Sequence, residues 1–510
     1  MRDPKKTNAY LVGGGIASLA AAVHLIQDAH VLPSQIHIIE SGPLPGGSMD
    51  GAGTAEKGYI LRGGRMLNFS YLCLYELLST IPSLTDPNKT VKQEIDEFNA
   101  IPENKTHAHA RLVAKGADGP EIMDVQALGL HGKDKVYLIK MMAESEKSLG
   151  TKKITDCFDE TFFETKFWYM WATMFAFQPW HSAVEFKRYL HRFVHEFKRI
   201  NTLSGVDHTK VTGLSFLDSS KITVEEINTT SNGVTGIIHV QSEDIVFVTI
   251  GSMTSYASIG SNTSAPAPLP APAAGKGAPD GAWALWDSFT RTPHASVMGN
   301  PANFYSRPAE SCWLSFTTTL HDPSFFERLE KWSGNAPGTG ALVTFKDSNW
   351  LMSIVVPKQP HFINQPSNVQ VFWGYALHPE KIGDYVKKPM AECTGAEILT
   401  ELLGNLNFPE HPTLESSITI PCMMPFITSQ FLTREYTDRP KVIPAGSTNL
   451  ALLGQFVEID MDTVFTVEYS VRGAQMAVFE LMGVDKKPHG MYRGDHSLVV
   501  MAEALKMMLA

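Results

Sequence analysis

Apolar residues cluster at Ala9–Val12, break at Gly13, Gly14 and Gly15, and return at helical spacing through Leu32 before a short run at Ile36–Ile39. That order predicts strand, glycine turn, helix and strand over residues 8–40, a βαβ opening. Residues 41–65 are rich in glycine but interrupted by charges and aromatics, which predicts an ordered loop rather than a linker. Helical spacing resumes over 67–84. The most aromatic stretch, 151–199, repeats apolar residues every three to four positions and predicts helices lining a large apolar space. The period then changes. Residues 222–254 alternate β-branched side chains and end in the apolar run Ile245–Ile250 before Gly251, a buried strand followed by a turn. Residues 258–281, dominated by Ala, Pro, Ser and Gly, are the one low-complexity piece and predict a mobile surface loop. Strands are predicted within 340–345, 350–356 and 369–377, and a helix over 396–406. A further block covers 418–481, and a tail over 484–510 ends apolar on one helical face.

The first turn reads Gly13-x-Gly15-x-x-Ser18 between the predicted strand and helix. Glycines there let the backbone approach a pyrophosphate held at the positive end of the helix. Ser18 stands where that pattern ordinarily has a third glycine. Glu40, twenty-five residues after Gly15 at the end of the second strand, is placed to grip a ribose hydroxyl. The alternative is a tight turn in an α/β protein that binds no nucleotide. FAD is favoured over NAD, because the strand Ile245–Thr249 with Gly251 and Ser252 returns some 200 residues later, as in flavoproteins whose nucleotide fold is interrupted by a substrate domain. Near the C-terminus, Gly454, Gln455, Phe456, Val457 and Glu458 precede Thr466, Val467 and Glu468, a glycine turn and acids before a helix. Some of these are expected to contact the isoalloxazine through backbone N–H groups at the helix start. Packing of a strand and helix inside the nucleotide domain is the alternative for any one side chain.

The fold class expected is therefore α/β, a Rossmann-like FAD-binding domain interrupted by a substrate-binding domain, with a helical C-terminal segment. Its parts are 8–150 for the first piece of the FAD domain, 151–215 for the aromatic helical substrate segment and 216–257 for the return to the FAD domain. The mobile loop, 258–281, precedes a substrate-binding domain over 282–417, an FAD-closing segment over 418–483 and an amphipathic tail over 484–510.

Composition narrows the class without changing this picture. The 510 residues are 43% hydrophobic and 19% charged, an ordinary globular balance that excludes disordered and coiled-coil chains. A net charge of −10 and the lack of a basic stripe give no footprint for nucleic acid. Cys73, Cys157, Cys312, Cys393 and Cys422 are odd in number, scattered and never in a C-x-x-C pair, which fits a reducing cytoplasm better than a disulfide framework. The run Tyr10–Ile26 falls short of the ~20 apolar residues that span a bilayer and lacks a cleavage site, so a soluble protein is expected.

The segments VGGGIASLAAA, GYILRGGRM, FAFQPWHSAVEFKRYLHRF, MPFITSQF and NLALLGQFVEIDMDTVFTVEYSVR together resemble the oleate hydratases, also called myosin-cross-reactive antigens, from about residue 8 to about residue 480. The resemblance implies a flavoenzyme that adds water across the cis-9 double bond of unsaturated fatty acids to give 10-hydroxy acids, with no net redox at the flavin. It also implies a homodimer, and a C-terminal part that touches membranes to collect fatty acid. Lys486, Lys487 and Arg493 before the apolar tail suit such a contact, and a helix docked on the protein or a dimer partner explains the tail equally well. Hydration needs a proton donor on one face of the alkene and a group that orients water on the other. The resemblance assigns the donor to Tyr189. It places Glu after R-G-G-R as the water-activating group, whereas Arg62, Gly63, Gly64 and Arg65 are followed here by Met66, whose thioether takes no proton at neutral pH. Asp50, Glu56, a backbone carbonyl or the flavin itself are the substitutes, with the Arg62–Arg65 loop shaped around the flavin.

A second departure puts Gly213 where the family has a substrate-contacting Gln. Thr428, Ser429 and Gln430 are candidates to face substrate or flavin. His181 is a candidate acid or base, with packing as its alternative, and Trp168, Trp171, Phe175 and Phe177 read equally as core or as tunnel wall. Three functions stay open on these residues: a hydratase, a flavin oxidoreductase or double-bond isomerase on a lipophilic substrate, and a fatty-acid-binding flavoprotein without activity.

Overall fold

A computed structural model describes residues 2–40, 46–48, 51–63, 67–101, 110–125, 127–195, 213–216, 221–231, 234–270, 279, 281–339 and 342–509. The expected βαβ opening forms. Strand Ala9–Val12 leads through Gly15 into helix Ile16–Gln27, and strand Ile36–Ile39 returns parallel to the first. Ala17, Ala20 and Ala21 form the buried face of that helix, small enough to bring it close to its neighbours, and the His24 ring meets Phe479 edge-on at 6.0 Å. Strand Ile245–Thr249 pairs parallel with Ala9–Val12, and Leu450–Leu453 pairs parallel with Ile245–Thr249. The sheet order is therefore 450–453, 245–249, 9–12, 36–39, and all four strands end on the same side. The near-continuous apolar sequences of Ala9–Val12, Ile245–Thr249 and Leu450–Leu453 match burial on both faces of a parallel sheet, while Ile36–Ile39 forms its more exposed edge. This is the interrupted nucleotide fold that the sequence predicts.

A second, eight-stranded sheet carries the other body, in the order 258–259, 417–424, 313–320, 370–376, 352–355, 343–345, 111–115, 120–122. Its members correct three sequence boundaries. Arg111–Lys115 and Pro120–Ile122 belong to this sheet rather than to the nucleotide domain, as does Ser417–Met424 rather than to the FAD-closing segment. Residues 258–270 do not form a free loop: Ser258 and Ile259 extend the sheet edge against Met423 and Cys422, and the Asn262 side chain accepts from Thr419 N at 3.0 Å. Backbone pairing, which composition does not report, decides that outcome.

The central strand Trp313–Leu320 is buried throughout. Leu314, Phe316 and Leu320 pack on one face with helices Ser324–Ser333 and Gly395–Leu406, and Phe325 stacks on Phe372 at 4.8 Å. The opposite face shows Ser315, Thr317 and Thr319 at the strand period of two. Their hydroxyls hold strand Gly58–Leu61 across the sheet: Tyr59 N donates to Thr319 Oγ1 and Leu61 N to Thr317 Oγ1, both at 2.8 Å, and Ser315 Oγ donates to Arg62 O at 3.1 Å. The strand leading to Gly63, paired by backbone only with Gly51–Thr54 among the described residues, is thus tied to the large sheet by side chains. Residues 213–216, 224–231 and 234–239 form a separate three-stranded meander.

Two helices of the aromatic segment bridge the bodies. Thr165 caps helix Lys166–Phe175 by accepting from Trp168 N at 3.1 Å, and Ala176 ends it in the left-handed region. Helix Ala183–Phe193 is buried although half its residues are polar. Lys187 explains part of this, since its ammonium donates to Met141 O at 3.1 Å and Met142 O at 2.6 Å and satisfies carbonyls at the end of helix Gly132–Ala143. At the C-terminus, Ala504 and Met508 of helix Leu498–Leu509 dock into the core while Leu498 and Val499 are exposed. No helix among the described residues is long and apolar enough to cross a membrane.

The hydroxyl ladder yields a direct expectation. Thr317→Val keeps the shape but leaves the buried Leu61 N–H without its acceptor, and should lower unfolding free energy by about 1–3 kcal/mol in denaturant titration. Thr318, on the other face, shares its hydroxyl with Thr419 Oγ1 at 2.9 Å, and a double Val replacement there should cost less.

Candidate functional site

Three turns leave the C-terminal ends of three adjacent parallel strands and converge. Gly13–Ala17, Thr249–Ser255 and Gly454–Phe456, with Gly47, Ser48, Ala282, Leu285 and Ser470, line a cavity of about 880 Å³ including its open mouth. Gly13, Gly251 and Gly454 take φ values of +105°, +64° and +99°, where a side chain is strained. A Cβ on Gly251 would lie 2.5 Å from the Phe456 ring, and one on Gly13 would lie 3.1 Å from Thr249 Cβ. Gly15 differs. Its φ of −76° is ordinary and its nearest neighbour would be Gly47 Cα at 3.5 Å, so what a side chain there would fill is the cavity itself.

The predicted residues Gly13, Gly15, Gly251, Ser252, Gly454 and Phe456 all lie on this lining. Ser18 lies beneath it, buried, with its hydroxyl 3.2 Å from that of Thr249. The Glu40 carboxylate accepts from Gly14 N at 2.8 Å, which sets the acid against the glycine turn. Thr466 caps helix Val467–Met482 by accepting from Tyr469 N at 3.2 Å, and Ser470 of that helix's first turn reaches the lining. Thr249, Ser255, Ala282 and Leu285 were not singled out from sequence. Thr249 and Ser255 flank the Gly251 turn that was, whereas Ala282 and Leu285 sit on a helix that follows the low-complexity stretch with no local mark.

Glu458 is placed elsewhere. It is buried in an ion cluster, where its carboxylate pairs with Arg188 at 2.8 Å and Arg434 at 2.7 Å, while Glu185 pairs with Arg434 at 3.1 Å and Arg439 at 3.0 Å. Burial alone would raise the Glu185 carboxyl, but Arg439, Arg188 and Arg434 hold it down to about 2. Partners this distant in sequence leave no local signal. A second cluster joins Asp462 to Arg192 and, at 2.9 Å, to Arg472 Nε; Arg472 also reaches Glu468 at 2.8 Å. Glu468 in turn accepts from Cys73 N at 3.2 Å and Leu74 N at 2.8 Å, capping helix Leu72–Leu78 from across the fold.

Tyr189 lies between these clusters, 2% exposed, inside a cage of Phe175, Phe177, Phe193 and Phe431 whose ring centroids are 5.0–5.6 Å away. Its hydroxyl donates to Val464 O at 2.7 Å. Burial, then the neighbouring Tyr71 and Glu185, push the phenol well above its ordinary pKa, so it keeps its proton. Trp168 and Trp171 pack behind it in the same aromatic core. Thr428, Ser429 and Gln430 are all buried in a turn, where Thr428 Oγ1 donates to Ser311 O and Gln430 Nε2 to Ile427 O, each at 3.0 Å. The residue this turn adds to the cage is Phe431, stacked on Phe177 at 4.5 Å.

Arg62 and Gly63 are buried at the end of the strand on the hydroxyl ladder, while Gly64, Arg65, Met66 and Asp50 lie outside the described residues. Glu56 stands fully exposed at the tip of the hairpin Gly51–Thr54/Gly58–Leu61, which removes it from the water-orienting role. Gly213 opens the meander opposite Asn228. Lys486 pairs with Asp28, and Arg493 with Asp495, which in turn meets His191.

Glycine turns gathered at the ends of adjacent parallel strands, an acid after the second strand and a buried aromatic cluster beside a separate, mostly antiparallel sheet define an interrupted Rossmann-type α/β protein of flavoprotein architecture. The same fold is seen in cyclohexylamine oxidase from Brevibacterium oxydans (TM-score 0.50, 12% identity, 94% of this chain and 99% of that one) and in a cofactor-binding redesign of putrescine oxidase (TM-score 0.51, 10% identity, 94% and 99%). Within that class the chain belongs to the MCRA family, whose profile matches residues 6–215 and 207–479. It is 36% identical to an oleate hydratase of Streptococcus pyogenes over 98% of this chain and 88% of that protein. It is 33% identical to a linoleate hydratase of Lactiplantibacillus plantarum over 94% of each.

His181 gives a pH test. Its Nδ1 accepts from Gln178 N at 3.0 Å, and complete burial lowers its pKa from 6.5 to about 3. Between those values the unfolded chain binds a proton that the folded chain excludes, so stability present above pH 6.5 is lost as pH falls, by about 1.4 kcal/mol per pH unit. In unfolding titrations the wild-type slope should exceed that of His181→Asn by about that amount, the other shifted groups being common to both; parallel slopes would place the imidazole in contact with water.

Proposed function

We propose that this chain is an FAD-dependent fatty acid hydratase, adding water across the cis-9 double bond of oleate-like acids to give 10-hydroxy acids with no net change in flavin oxidation state. The observation that carries the reading is Tyr189, a neutral acid in an aromatic cage whose hydroxyl is bonded to the segment bordering the glycine-lined cavity. The likeness over almost the whole chain to proteins named for hydrating oleate and linoleate supports the substrate class.

The cavity fits FAD on its own chemistry. Gly13 and Gly15 leave room for a pyrophosphate where helix Ile16–Gln27 begins, Glu40 stands at the turn to take a ribose hydroxyl, and the Gly251 and Gly454 turns open the space beyond. When bound, FAD supplies a rigid aromatic wall and a polar edge beside the alkene. In this reading Tyr189 releases Val464 O and gives its proton to one alkene carbon, the oxygen of water bonds to the other, and the proton that water loses restores the phenol. Burial serves this step twice: it keeps the phenol protonated and excludes bulk water from the developing cation. Met66 replaces the usual Glu, so orientation of the water is assigned to Asp50, a backbone carbonyl near Gly63 or the flavin edge.

Oleate incubated with the protein and FAD under reducing conditions in H₂¹⁸O should yield an ¹⁸O-labelled hydroxy acid. Loss of hydrogen from oleate with an added electron acceptor would favour the oxidoreductase, and unaltered oleate and linoleate the binding protein. Tyr189→Phe should lower turnover about 10²–10⁴-fold with FAD still bound. Gly15→Val should give a folded, colourless protein, because its side chain enters the cavity without straining the backbone; full yellow colour would contradict the pyrophosphate assignment.

A further inference from the structure

Gln455 belongs to two structures at once. It lines the glycine cavity beside Gly454 and Ser470. Its side chain also gathers the stretch that holds Tyr189. Nε2 donates to Thr466 O at 3.0 Å and to Ser470 Oγ at 2.8 Å, and Oε1 accepts from Phe465 N. The residue before Phe465 is Val464, whose carbonyl accepts from the Tyr189 hydroxyl at 2.7 Å. A single amide therefore stands between the cavity wall and the acceptor of the phenol.

The stretch needs such a hold. Met461 and Phe465 have φ values of +65° and +66°, sparsely populated for residues with side chains, so surrounding contacts must impose the conformation. At its start Asp462 is fixed by Arg192 and Arg472 and accepts from Thr463 N at 2.8 Å. At its end Thr466 Oγ1 donates to Thr463 O at 2.9 Å and caps the helix. Between those anchors Gln455 is the side chain that satisfies Phe465 N and Thr466 O. The Phe465 ring meets Phe431 at 5.4 Å, so movement here would also shift one wall of the aromatic cage.

We propose that Gln455 is a positioning residue linking occupancy of the glycine-lined cavity to the placement of Tyr189, so that a bound flavin fixes the segment 463–466 and with it the proton donor. The inference rests on the function proposed above, and its chemistry is carried by this chain alone. A flavin against the cavity wall limits the rotamers of Gln455; Gln455 then holds Phe465 N and Thr466 O; Val464 O stays where the phenol can meet it.

Hydrogen–deuterium exchange with and without FAD reads this link independently of turnover. In the wild type, FAD should slow exchange in peptides covering 463–469 and 186–194. In Gln455→Ala held at saturating FAD, the protection of 463–469 should disappear. Gln455→Glu, which keeps the acceptor for Phe465 N and loses the donor, should retain part of that protection and serves if the Ala variant does not fold. In turnover of oleate, Gln455→Ala should lower kcat about tenfold with KM little changed, and should add nothing in a Tyr189→Phe background, because the two act as one unit. Equal FAD protection in the wild type and Gln455→Ala, or independent kcat losses in the double variant, would overturn the link while leaving the hydratase reading intact. A wild type that takes up no FAD would overturn the cofactor assignment and the link together.

Discussion

The burial of helix Ala183–Phe193 is the constraint on which the rest of the molecule turns. Glu185, Arg188 and Arg192 are charged and almost without solvent, and each is matched by an opposite charge from residues 434–472. Leaving one such charge unpaired costs about 3–5 kcal/mol, whereas the intact set contributes little net stability. The charges are better understood as setting register. They fix where the helix sits against the C-terminal segment, and Tyr189 has no freedom once its neighbours at both ends are paired.

The same logic reaches the nucleotide body. Asp462 and Glu468 hold Arg192 and Arg472, and Glu468 also caps the helix that follows the Arg62–Met66 loop. The loop's other side is held by hydroxyls of the large sheet. Glycine-lined cavity, aromatic cage and the entry to that loop are therefore braced by buried polar groups, in a core whose remaining surface is apolar. Low dielectric makes each bond strong when made and each omission costly.

What the sequence revealed was what is local. Gly13, Gly15 and Glu40 lie within one βαβ unit, and the apolar run at Ile245–Ile250 announced its strand and turn; the glycines and that turn fell on the cavity lining, and Glu40 on the backbone of Gly14 between the two glycines. Gly454 and Phe456 were found for the same reason. Glu458, two residues beyond Phe456, went to a different task because Arg188 and Arg434, far along the chain, decide its surroundings. Strand Arg111–Lys115 was assigned to the wrong body because a five-residue strand does not say which sheet it joins. Ser315, Thr317 and Thr319 carry a visible period of two, yet nothing in it names the strand they hold. Tyr189 came from family resemblance; its bond to Val464 follows from two positive-φ residues that no propensity would suggest.

The nucleotide sheet is assembled from three widely separated stretches of one chain. Its central pair requires residues 9–12 to wait for 245–249, and its edge waits for 450–453. Until then the first strand presents unpaired backbone to the cell, as edges do. Parallel pairings over such separations form slowly, since loop closure is paid before contacts reward it. The cavity, drawn from all three turns, comes into existence only once residues 450–456 have joined the sheet. A chain lacking the strand 450–453 cannot close that cavity and leaves the edge of 245–249 unpaired, so the cavity itself is a mark of a fully assembled sheet.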